Sequence, residues 1–157
     1  MTPLMLAASA GHEAIVALLL ESGANPNQRG GGERTALQYA AEKNRIAVAK
    51  RLLDAGADID GYDTNRLTPL TMAADRGFTA LGLLLLERGA DVNIAHVQGW
   101  TPLIDAARNG DTKLAHALLE NGADPNARLS SGWTAATLAE RNGHKAIVAL
   151  LNAHARR

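Results

Sequence analysis

The chain has 157 residues, 16 acidic against 16 basic side chains, and no cysteine. That length suffices for one domain with a buried core. Charge balance argues against a general polyanion binder, and the lack of cysteine excludes a disulfide framework and thiolate chemistry. The longest apolar stretch, "ALGLLLL", falls far short of the roughly 18 residues of a membrane span. No basic region precedes an apolar run at the N-terminus, so no signal peptide is expected.

In chain order, the first predicted helix is "TPLMLAASAG", from Thr2 to Gly11, and the second runs through "AIVALLLESGANPN" to a stop at Gly23. A glycine-rich loop, "GGGER", follows over Gly30 to Arg34. It lacks the GK[ST] ending of a phosphate-binding loop and reads as a flexible tip. The next pair is "TALQYAAEKN" and "AVAKRLLDAGADID". Asp58, Asp60 and Asp63 then follow with a faint calcium-loop spacing, but no twelfth-position Glu completes it, and a turn is expected. "TPLTMAADRG" and "ALGLLLLERGADVN" form the third pair, "TPLIDAARNG" and "KLAHALLENGADPN" the fourth, and "TAATLAERNG" and "AIVALLNAHARR" the fifth.

These segments are one unit repeated. Thr2, Thr35, Thr68, Thr101 and Thr134 are spaced by 33 residues without insertion. Threonine is a good helix N-cap, and Pro3, Pro69 and Pro102 sit where a missing N–H costs nothing. Gly11, Gly77, Gly110 and Gly143 should end the first helices, with Asn44 as the left-handed substitute in the second copy. Gly82 lies mid-helix, where a small residue suits close packing.

Units of this length carrying "TPL", "AA", "G", "LL" and "GADVN" resemble ankyrin repeats. The resemblance implies an all-α repeat solenoid over residues 1–157, with stacked helix pairs, short β-hairpin fingers and a concave face. Its units would be 2–34, 35–67, 68–100, 101–133 and 134–157. Ala136, Glu140 and Asn152 make the last unit smaller and more polar, as a C-terminal cap requires. The first unit has no such device, so upstream sequence or another segment is expected to cover it. The family's "TPLH" histidine is replaced by Met5, Gln38, Thr71, Ile104 and Thr137, so its polar bridge between units is expected to be missing throughout. Glu33 and Arg66 stand where Gly99 and Gly132 keep the finger glycine.

The histidines fall outside any HxxxH or HExxH spacing, and no GxSxG elbow occurs, so no metal, cofactor or catalytic site is expected. The family's variable positions imply the binding face instead. They place Arg34, Leu67, Trp100 and Trp133 before the helix-starting threonines, Tyr62 in a finger, and Asp75, Arg76, Arg108 and Arg141 at first-helix ends. Tryptophan, tyrosine and arginine are enriched in binding hot spots. The expected function is a monomeric, soluble, cytoplasmic protein-interaction module whose partner is acidic or of mixed charge. The alternative is a regulatory or scaffold segment of a longer chain that packs on its own neighbouring domain. A nucleic-acid reader, with Trp on bases and Arg on phosphates, is the weakest of the three.

Overall fold

A computed structural model describes residues 1–155; residues 156 and 157 of the expected last unit lie outside it. The described residues form five helix pairs: α1 (Pro3–Ala10) with α2 (Glu13–Glu21), α3 (Ala36–Glu42) with α4 (Ile46–Asp54), α5 (Pro69–Asp75) with α6 (Thr79–Glu87), α7 (Pro102–Asn109) with α8 (Thr112–Glu120), and α9 (Ala135–Arg141) with α10 (Lys145–His154). First helices stack on first helices and second on second, which makes an all-α solenoid.

Each first helix starts at its predicted threonine, whose side chain accepts from the backbone N–H three residues on. In four units the third residue answers by accepting from the threonine N–H: Met5 Sδ at 3.3 Å, Gln38 Oε1 at 2.9 Å, Thr71 Oγ1 at 2.7 Å and Thr137 Oγ1 at 2.8 Å. Ile104 has no acceptor and leaves Thr101 without this return. The chain leaves these helices through left-handed residues, among them Asn44 at φ 54° and Gly77 at φ 69°.

The expected absence of a polar bridge in every copy is wrong for the second. Gln38 Nε2 donates to the Leu67 carbonyl of the next finger at 2.7 Å. An amide can accept from its own cap and donate across the interface at once. Thr71 is too short to reach and donates back to its own threonine carbonyl, as Thr137 does in the last unit.

The core runs along the stack. Ala8, Ala40, Ala41, Ala73, Ala74, Ala106 and Ala107 are fully buried, as are Leu52, Leu85 and Leu118 in the second helices. Burying one such leucine contributes about 2 kcal/mol. Gly82 lets α6 approach α8 closely, since a Cβ there would sit 2.8 Å from Leu114 Cδ1. On the outside, the asparagines that close "GANPN" and "GADVN" join successive loops. Asn27 accepts from Asp58 N–H at 2.7 Å and donates to the Gly56 carbonyl at 3.0 Å. Asn93 does the same to Asp124 and Gly122.

The fingers carry no β-ladder: Arg128–Thr134 is an isolated bridge, and no strand occurs among the described residues. Each finger closes instead on two backbone bonds within five residues, such as His96 N–H to Trp100 O at 2.9 Å with Gly99 N–H to His96 O at 3.2 Å. Glu33 and Arg66, in the finger-glycine phase, are forced into the left-handed region at φ 63° and 62°.

Candidate functional site

The finger closures place the residue before each threonine in extended backbone beside the end of a first helix. Arg34, Leu67, Trp100 and Trp133 therefore occur in equivalent places, each half-buried. Around them the expected charged residues do not form a uniform basic row.

At the N-terminal end Arg34 Nε donates to Asp63 Oδ2 at 3.1 Å and its Nη1 to Glu42 Oε2 at 2.9 Å, while its guanidinium lies over Tyr39. Asp63 is buried and also accepts from the N–H groups of Asn65 and Leu67, so it holds its finger together. Arg76 reaches the other oxygen of Glu42 at 3.5 Å. Tyr62 is exposed on its finger, with the guanidinium groups of Arg29 and Arg66 over its ring at 6.0 and 5.2 Å.

The centre is denser. Arg108 lies 4.7 Å from the Trp100 ring centre and donates to Asp75 Oδ1 at 2.7 Å. The His96 ring stacks on Trp100 with an interplanar angle of 13°. His96 Nε2 is 3.0 Å from Asp105 Oδ2, and the Asp105 side chain is fully buried. Asp105 Oδ1 has no hydrogen-bond partner, although Arg108 Nη2 is 3.3 Å away. Burial pushes the Asp105 carboxyl above its ordinary value, against the pull of the bond and charge of His96 and the charge of Arg108, and the charge of Asp75 adds a further push upward. At the C-terminal end Arg141 stacks on Trp133 at 5.2 Å.

The structure thus brings Asp75, Trp100 and Arg108 together, joins Arg34 to Arg76 through Glu42, and sets Trp133 with Arg141. The side chains of Tyr62 and Leu67 join neither charged cluster, though the Leu67 N–H bonds to Asp63. Sequence reasoning missed His96 and Asp105 as members of the central group. The signal was present: Asp105 occupies the phase of Leu6, Tyr39, Met72 and Leu138, so a carboxylate stands where the other units carry a large apolar or aromatic side chain.

Two depressions open beside these rings. One of about 340 Å³ is lined by Gln98, Trp100, Leu129, Ser130 and Ser131. The other, of about 280 Å³, is lined by Ser131, Gly132, Trp133 and Thr137. Ser131 borders both, so the depressions adjoin. Among the described residues no three of His, Cys, Asp and Glu come together as a metal ion needs. Nor is any helix among them long and apolar enough to cross a membrane. The arrangement offers ring faces, guanidinium donors and shallow concavity, which suit recognition.

The family model for ankyrin repeats, which spans three copies, matches residues 1–63 and again residues 60–129. No curated protein matches the chain.

Proposed function

Since the chain belongs to the ankyrin-repeat family, whose members generally mediate protein–protein interactions, we propose that it binds a protein partner on the concave face of fingers and first-helix ends. The reading takes it as a monomeric cytoplasmic module without a catalytic centre. The observation that carries it is the pair of tryptophans. Core phases of the second, third and fourth units such as Leu52, Leu85 and Leu118 are closed to solvent, yet Trp100 and Trp133 keep ring surface open beside adjoining depressions. Large rings with a guanidinium stacked on them lose little conformational freedom on binding, which is why such groups dominate interface energetics.

The test is capture from source-cell lysate by the wild type and by Trp100→Ala/Trp133→Ala, with the folding of both followed by circular dichroism. A partner held by the wild type should bind the double variant more weakly by about 2 kcal/mol or more. Equal retention by a folded double variant would refute the concave-face reading. It would also make the two rings packing residues.

A further inference from the structure

The concave row repeats its geometry but not its charge. Arg108 and Arg141 occupy the same phase of successive units, and each lies over the tryptophan that precedes its helix, at 4.7 and 5.2 Å. One nitrogen of Arg108 is engaged inside the molecule: Nη2 donates to Asp75 Oδ1 at 2.7 Å and sits 3.3 Å from Asp105 Oδ1. One unit later the residue in the phase of Asp75 is Arg108 itself, and the residue in the phase of Asp105 is Leu138. Both carboxylates are missing from the second copy of the arrangement.

Among the described residues no carboxylate pairs with Arg141, which is exposed at the end of α9. Arg128, on the finger leading to Trp133, is exposed too, and its Nη1 makes only a long contact of 3.4 Å to the Gly132 carbonyl. The helix end alone does not account for Arg141. A cation there is favoured by the helix dipole, but Arg108 sits near the same end of α7 and still takes two carboxylates.

We propose that Arg141, held on Trp133 and following the finger that carries Arg128, anchors an aspartate or glutamate side chain from an acidic segment of the protein partner. The incoming carboxylate plays the part that Asp75 plays on Arg108. Stacking covers the guanidinium face and leaves its N–H edge oriented, the geometry that meets a carboxylate with two parallel bonds. Glu42, Asp75 and Asp105 counter the positive charge elsewhere in the row. This favours one local acidic contact over a chain of phosphates following the whole groove. The proposal rests on the concave-face reading.

The experiment titrates the ¹⁵N-labelled full chain with the peptide acetyl-Leu-Glu-Leu-Glu-Leu-amide and with its Gln-for-Glu counterpart. Arginine Nε–H and tryptophan indole N–H signals are followed. The Glu peptide should shift Arg141 and Trp133 saturably and leave Arg108 nearly still. Affinity should fall about tenfold for the Gln peptide, and by a similar factor for Arg141→Gln. Arg141 is exposed, so the variant should keep the wild-type amide spectrum.

Equal affinity for the two peptides, or an unchanged affinity in Arg141→Gln, overturns the anchor. Shifts that still map to Trp100 and Leu67 in that case leave the concave face standing without it. A lack of any shift overturns the anchor as well, and the capture by the double tryptophan variant then decides the face independently. Tighter binding of oligothymidylate than of the Glu peptide at Arg141 also overturns it, because the site would then select phosphate.

Discussion

Asp60 occupies the phase in which Asn27 and Asn93 join one loop to the next. As a carboxylate it can only accept. It takes the Asp91 N–H at 2.9 Å, but it cannot donate to the Gly89 carbonyl as Asn27 donates to Gly56 and Asn93 to Gly122. Burial raises its pKa from the ordinary 3.8, the Asp91 backbone bond opposes this, and the charges of Asp91 and Asp58 raise it further. A folded carboxyl with a raised pKa holds its proton to higher pH than the unfolded one. Its favourable contribution is therefore complete below the unfolded value and is lost as pH climbs through the folded value. Asp60→Asn supplies the missing donor and removes the titration. Urea denaturation at neutral pH should show a gain of about 1 kcal/mol. That gain should shrink as pH falls into the carboxylate range. A constant gain across that range would mean that Asp60 carries no such penalty in solution.

The helices were legible in the sequence because their ends are set locally. A threonine hydroxyl reaches a donor three residues on, and a glycine or Asn44 takes the left-handed exit, whatever the rest of the chain does. The family resemblance implies hairpin fingers, but each finger reverses within a few residues around left-handed positions such as Arg66 and Gly99. Too little extended chain remains to pair. The candidate site was legible as a set of positions and illegible as a circuit. Which carboxylate meets Arg108 depends on side-chain reach across a repeat boundary, and Gln38 crosses such a boundary where Thr71 cannot. Gly82 in α6 shows the same dependence on a neighbour. Alanine there would gain about 1 kcal/mol of helix propensity. Its Cβ would also press on Leu114, which is fully buried and 2.8 Å away, and overpacking costs about 1–3 kcal/mol. Gly82→Ala should therefore destabilise in the wild-type background. In a Leu114→Val background, where the obstructing methyl is withdrawn, the same change should be neutral or favourable. A double-mutant cycle by thermal or urea unfolding measures the coupling. Additive effects would place the contact outside the ensemble in solution.

Along the whole stack the two ends are finished differently. Ile15, Val48, Leu81, Leu114 and Ile147 share one phase, and the last four are buried. Ile15 is 49% exposed, with Leu6 at 55% and Leu18 at 62% on the same unit. The phase faces the preceding unit, so Ile147 is covered by its predecessor while Ile15 meets solvent. The far end of the stack instead presents the exposed polar side chains of Glu140 and Asn152. In a solenoid each unit gains stability from its neighbours, and terminal units open first. Within residues 1–155 the open Leu6, Ile15 and Leu18 make α1 and α2 the less buried pair, and their amides should exchange faster than those of α9 and α10. The difference in burial also sets the cost of the same substitution at each end. Ile147→Ala creates a cavity and should cost about 2–5 kcal/mol, whereas Ile15→Ala should cost about 1 kcal/mol or less, since half its surface is already in water. Urea unfolding at two protein concentrations checks both. Equal costs that grow with concentration would mean that Ile15 is covered by a second copy. Equal costs independent of concentration would mean that the first unit folds its own residues over that face.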